Sequence, residues 1–211
     1  MQLNIVHQPT YSRGELLLRT FFGFFYIMIP HGFCLYFLAI GAAILRFITF
    51  FAILFTGEYP ESFFNYFVRM FRWSLRVSAR LNNLSDGYPA FGLSATDDKT
   101  SFDVPYYKKA SRGNALLVFF LGALILIPHI ICIIVLAIAA MFVKFIAFWA
   151  VLFTGKYPDG MHDFMVRFTR WTMRLSVYLY FMDPTYPPFN GRPDEAREAY
   201  NNLSNSLQAS V

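Results

Sequence analysis

Two short constellations in this 211-residue chain have residue types and spacing that could do chemistry. His31 with Cys34, and His129 with Cys132, repeat an H-x-x-C pattern, and residues three apart on a helix share a face. Two such pairs brought together would offer two imidazoles and two thiols, a tetrahedral metal set in principle. The thiols lie among Phe and Leu, where the thiolate form is costly, and H-x-x-C alone is not a metal fingerprint. No metal and no cofactor is therefore expected, with His31, Cys34, His129 and Cys132 as the candidates should one bind. The second constellation is cationic. Arg69, Arg72 and Arg76, and again Arg167, Arg170 and Arg174, recur three or four residues apart beside Trp73 and Trp171, a spacing that lines them along one helical face. Such a face can hold headgroup phosphates as point charges, or clamp carboxylates and carbonyls through the planar guanidinium fork.

These residues sit in a sequence that says almost the same thing twice. "ILFTGEYPESFFNYFVRMFRW" from Ile53 returns as "VLFTGKYPDGMHDFMVRFTRW" from Val151, a shift of 98 positions. Pro30-His31 returns as Pro128-His129, Arg46 as Lys144, and "YPAF" at Tyr88 as "YPPF" at Tyr186. Upstream the shift becomes 99, aligning "SRG" at Ser12 with "SRG" at Ser111 and "LNIV" with "FDVP". One residue has been gained or lost between Gly14 and Pro30. The chain reads as a first repeat over 1–92, a polar linker over 93–101, a second repeat over 102–190 and a polar tail over 191–211. Internal repeats of this kind signal a pseudo-symmetric assembly.

Composition supplies the setting. Hydrophobic residues make up 56% and charged residues 15%, with 26 Phe and 13 Tyr, far from a soluble average. No Asp, Glu, Lys or Arg occurs from Thr20 to Leu45 or from Gly113 to Val143, and each stretch exceeds the roughly 20 residues of a spanning helix. An integral membrane protein without a cleavable signal is expected, and a disulfide framework is not.

"IPH", then "FTGxYP", then "RW" with a further Arg three residues on, then "YPxF", resembles the bacterial membrane family called domain of unknown function 4389, in two tandem copies. Phe51 in place of Trp149 and Ala90 in place of Pro188 are departures in the first copy. The resemblance implies an uncharacterised membrane architecture and no activity.

Each unit divides into four pieces. Alternation at Leu3, Ile5 and His7, and at Phe102, Val104 and Tyr106, predicts short strand-like leads. The apolar runs Leu16 to Phe55 and Ala115 to Phe153 would each reach about 60 Å as one helix, twice a hydrocarbon core, so each must break, tilt or fold back. A hairpin turning at Pro-His is the preferred reading, a long kinked helix the other. Gly57, Pro60, Gly155 and Pro158 read as a helix-to-helix corner, with Tyr59 and Tyr157 at headgroup level. The arginine-rich segments then read as amphipathic interfacial helices. The expected fold is all-α, with basic helices and termini on the cytoplasmic face of the bacterial inner membrane. Arg46 and Lys144 fall mid-way along apolar segments. Against a carbonyl, a lipid phosphate or a partner's carboxylate they would be accommodated. His7 and His162 have no His in the other copy and receive no role.

No Gly-rich phosphate loop, nucleophile elbow, HExxH or intramembrane carboxylate is present, so no enzyme is expected. The reading that follows is a non-catalytic accessory or scaffold subunit of a larger membrane complex, contacting other membrane subunits and anionic phospholipid rather than nucleic acid. A membrane-shaping or lipid-organising protein is the first alternative. A transporter, lipid-handling or His/Cys metal-site protein is the second.

Overall fold

The computed structural model describes residues 1–193; the rest of the polar tail, 194–211, lies outside the described residues. Strand β1 (Gln2–Ile5) leads into the long helix α1 (Arg13–Thr56), followed by α2 (Glu61–Leu81). The second copy repeats the order with β2 (Thr100–Asp103), α3 (Arg112–Thr154) and α4 (Asp159–Leu179).

The hairpin expected at each Pro-His does not form: each apolar run is one helix, of 44 and 43 residues. Copy one explains how a proline sits inside it. A π-helical turn occupies Phe24–Met28, directly before Ile29-Pro30. Gly23 and Gly122 are equivalent, yet seven positions separate Gly23 from Pro30 and six separate Gly122 from Pro128. A π turn is how a helix absorbs one extra residue without changing the faces on either side. The residue by which the copies differ is thus housed in this turn. Pro30 also frees the carbonyl four residues back, Tyr26, and the Tyr88 hydroxyl donates to that oxygen at 3.2 Å. Helices tolerate proline when a neighbour satisfies the freed group in this way.

Sequence sets the helix ends. Ser12 and Ser111 accept from the backbone N–H of Glu15 and Asn114, the ordinary N-cap arrangement. Gly57 and Gly155 close the long helices in the left-handed region, at φ 74 and 72, where a Cβ would be strained. From each corner the chain turns back along its own long helix. Tyr66 donates to the Leu38 carbonyl at 2.8 Å, and Gly23 faces Leu81 at the far end of α2. Tyr59 and Tyr157, expected among headgroups, are buried at 3% and 2% exposure; Tyr59 donates to the Tyr180 carbonyl inside the core.

The two copies are antiparallel and mutually exchanged. The start of each long helix lies at the end of the other: Tyr11 N–H donates to Gly155 and Arg13 to Phe153, while Ala110 N–H donates to Gly57 and Arg112 to Phe55. The lead strands pair antiparallel, with Leu3 opposite Phe102, two positions that are themselves equivalent. A pseudo-twofold axis therefore passes through that pair. Phe50 stacks on Phe119 with ring centroids 3.9 Å apart where the long helices meet. α2 and α4 cover one side of the long helices. The other side stays bare, from Phe21 through Phe33, Phe37 and Phe47 to Phe55, and from Phe120 through Ile131, Ile138 and Phe145 to Phe153.

Deleting Phe25 should remove the π turn and give copy one the spacing of copy two, so thermal unfolding of that variant in detergent is expected within a few degrees of wild type. Deleting Ile48 instead rotates Thr49, Phe50 and Ile53 out of the core, and loss of folded protein is expected. Equal damage from both deletions would show that the turn is not an accommodated insertion.

Candidate functional site

The residues shared by both copies come together in two places. The first surrounds the histidines. His31 and His129 are fully buried. Trp73 donates its indole N–H to His31 Nδ1 at 2.8 Å, and Trp171 to His129 Nδ1 at 3.2 Å. An indole nitrogen only donates, so Nδ1 must be the acceptor and the neutral ring carries its hydrogen on Nε2. Neither nitrogen then presents a lone pair outward. The arrangement leaves His31 and His129 unsuited to ligate a metal. In copy two Nε2 lies 2.9 Å from the Tyr186 hydroxyl. Phe189 stacks on His129 at 4.1 Å, and Phe91 lies 4.7 Å from His31. "IPH", "RW" and "YPxF" thus converge on one aromatic cluster per copy, which locks the segment after each amphipathic helix onto the middle of its long helix. Cys34 and Cys132 are free and half-buried, and among the described residues no group of three His, Cys, Asp or Glu is placed to hold a metal ion.

The second place is the set of arginines, which do not form the lipid-facing strip expected of interfacial helices. Arg76 is 2% exposed and Arg170 7%. Arg76 donates to three carbonyls of the segment folded over it, Ala90, Gly92 and Ala95, at 3.2, 2.6 and 2.8 Å. Arg174, its equivalent, donates to Asn190 and Arg192. Arg72 reaches across to the lead strand of copy two, donating to the Phe102 carbonyl and to Asp103. Arg170 reciprocates, donating to Leu3 of the lead strand of copy one and to Gly191. Arg80, unmatched in copy two, is buried against Asp97, which also accepts from Thr100. Arg69 and Arg167 remain on the outer surface.

Arg46 and Lys144 have the same duty in mirror image. Arg46 donates to the Leu179 carbonyl at 2.7 Å and lies over the Phe181 ring; Lys144 donates to the Leu81 carbonyl at 2.7 Å. Leu179 ends α4 and Leu81 ends α2, so each cation from one copy caps the C-terminus of a helix of the other. A cation there satisfies a freed carbonyl and complements the negative end of the helix dipole. The carbonyl, one of the three partners open at the sequence level, is met in both copies.

Two residues without an assigned role also prove placed. His7 occupies the position of Tyr106: the Tyr106 hydroxyl donates to the Tyr59 carbonyl at 2.7 Å, and His7 Nε2 lies 2.9 Å from the Tyr157 carbonyl. The repeat hides this, because matching positions do the same job with different side chains. His162 sits beside His7 at 4.5 Å between ring centroids, and burial, with His7 close by, holds its pKa down to about 4. Among the described residues copy one alone carries a buried polar network, in which Arg19 donates to Asn83, Glu15 and Asp86; Val118, Phe181, Asn114 and Pro184 stand at those places in copy two.

The domain of unknown function DUF4389 matches residues 14–92 and again 118–190. No curated protein and no solved structure matches the chain.

Because Arg170 spans two backbone carbonyls with separate nitrogens of one fork, lysine cannot replace it. Arg170→Lys is expected to lose about 2 kcal/mol of unfolding free energy, the scale of one charged hydrogen bond in a buried setting. Arg167→Lys, on the exposed face, should change it by less than about 0.5 kcal/mol. Chemical denaturation in detergent measures both, and equal effects would contradict the clamp.

Proposed function

Since the chain belongs to the DUF4389 family, whose description carries no activity, we propose its role from its surfaces: a membrane-seated, non-catalytic scaffold or accessory subunit that lies along one leaflet. One observation carries the reading. The two long helices are bare and apolar along one side for their whole length, while the outer faces of the helices on the other side carry Glu61, Asn65, Arg69, Asp163 and Arg167.

Length supports an in-plane orientation. At 1.5 Å per residue each long helix reaches about 65 Å, and fitting that into about 30 Å of hydrocarbon would need a tilt above about 60°. Helices that span are tilted about 20° on average, and rarely beyond about 40°. A spanning orientation would also draw the polar layer through the hydrocarbon beside them. Lying flat, the long helices bury their bare side among acyl chains, and the β1/β2 ribbon and the exposed arginines Arg69 and Arg167 face water. This seat belongs on the cytoplasmic leaflet of a bacterial inner membrane, with the polar layer toward the cytoplasm. The rows of Phe and Ile then remain for lipid and for the helices of neighbouring subunits. The one-sided insertion favours a second reading, in which the protein bends or thickens the leaflet it occupies.

Spin labels on Phe22, Phe33, Ile44 and Phe55, placed one at a time in reconstituted protein, should report one shallow depth of about 5–10 Å. A profile running from one interface through the midplane to the other would refute the in-plane seat. Tubulation of vesicles by the pure protein would move the role from scaffold to membrane shaping.

A further inference from the structure

The two copies differ on the outer face of their amphipathic helices, and in copy one a cavity reaches that face. Beside α2, between the segment 93–97 and strand β2, lies a cavity of about 450 Å³, lined by Arg69, Arg72 and Arg76 and by the hydroxyl residues Ser94, Thr96 and Ser101. That volume falls in the range of small-ligand sites. Its charge is not balanced. Arg72 meets Asp103 and Arg80 meets Asp97, but Arg76 contacts only neutral carbonyls, and Arg69 has no partner among the described residues. Of the charged residues that line the cavity, three guanidiniums against two carboxylates, Asp97 and Asp103, leave one positive charge unmatched.

In copy two the surroundings of the equivalent arginine are closed. Arg167, the equivalent of Arg69, is ion-paired with Asp163 one turn earlier, where copy one has Asn65. Gly191 is pressed so closely on the α4 backbone that a Cβ there would collide with the Arg167 carbonyl. Among the described residues nothing comparable covers Arg69. The cavity of copy two, about 420 Å³, lies instead beside Arg174, Asn190 and Arg192 and does not reach Arg167, whereas that of copy one includes Arg69.

We propose that this cavity binds a phosphate-bearing anion, with Arg69 as the principal charged contact and Ser94, Thr96 and Ser101 donating hydroxyl hydrogen bonds. Arginine with hydroxyl donors is the pairing that phosphate oxygens accept best. A phosphorylated solute and a phospholipid headgroup of a second, apposed membrane share this chemistry, and the experiment separates them.

The test is calorimetric titration of the full chain in neutral detergent with inorganic pyrophosphate at constant ionic strength, alongside vesicle flotation with phosphatidylcholine alone or mixed with phosphatidylglycerol. Saturable pyrophosphate binding identifies a solute site. Arg69-dependent flotation with phosphatidylglycerol, without pyrophosphate binding, identifies a headgroup site. In either case Arg69→Gln is expected to weaken binding about tenfold, as loss of one charge-assisted contact does. Asn65→Asp, which gives Arg69 the carboxylate that Arg167 has, should weaken it similarly while keeping the arginine. Arg167→Gln should leave it within about twofold. Absence of both kinds of binding, binding indifferent to Arg69→Gln and Asn65→Asp, or an equal loss in Arg167→Gln overturns the proposal.

Discussion

A helix that ends inside a protein leaves its last carbonyls without partners, and each buried, unmet carbonyl costs about 1–3 kcal/mol. Here α2 and α4 both end against the opposite copy's long helix, and in each case a cation from that helix meets the carbonyl: Lys144 for Leu81, Arg46 for Leu179. The long helices end at φ-positive glycines whose carbonyls accept from the opposite copy's lead, Ala110 on Gly57 and Tyr11 on Gly155. At these C-terminal carbonyls each copy is completed by the other. This mutual dependence explains why the repeat is kept within one chain, and why the lead strands pair across the axis instead of folding back on their own copy.

Much of this was legible in the sequence, and the residues show why. A shift of 98 in Pro-His, "FTGxYP", "RW" and "YPxF" reveals two copies, and the glycine and proline of "FTGxYP" locate a corner because left-handed and helix-initiating positions tolerate few other residues. Alternation in the leads reveals strands. Helix continuity through Pro30 was not legible, since it depends on a tyrosine hydroxyl 62 residues away in sequence and on a π turn without a residue signature. Nor was the burial of the arginines. Spacing places Arg69, Arg72, Arg76 and Arg80 on one face, but only the segment folded over that face decides that Arg76 meets carbonyls while Arg69 meets none. The His-Trp pair was equally hidden, because a donor at one end of a repeat and an acceptor at the other look unrelated until the chain closes.

Symmetry also shows where the copies have been released from one another. Arg19 with Asp86 and Asn83 is a buried ionic cluster in copy one and an apolar contact in copy two. Such clusters are weak contributors to net stability, because desolvation offsets much of the attraction. Apolar residues at the same place in the twin argue that the cluster marks a difference between copies and is not a requirement of the fold. The open, cationic face beside Arg69 is a second asymmetry, and the shared frame beneath it is the control that makes it visible.

The central claim is that each copy holds the other's helix ends, and hydrogen exchange measured by mass spectrometry tests it most directly. In Lys144→Leu the account predicts faster exchange at residues 78–83, the end of α2 in the opposite copy, with α4 protected as in wild type. Arg46→Leu should do the same at residues 176–181. Exchange that rises only around the substituted residue in its own long helix, or does not change, would contradict the reciprocal cap.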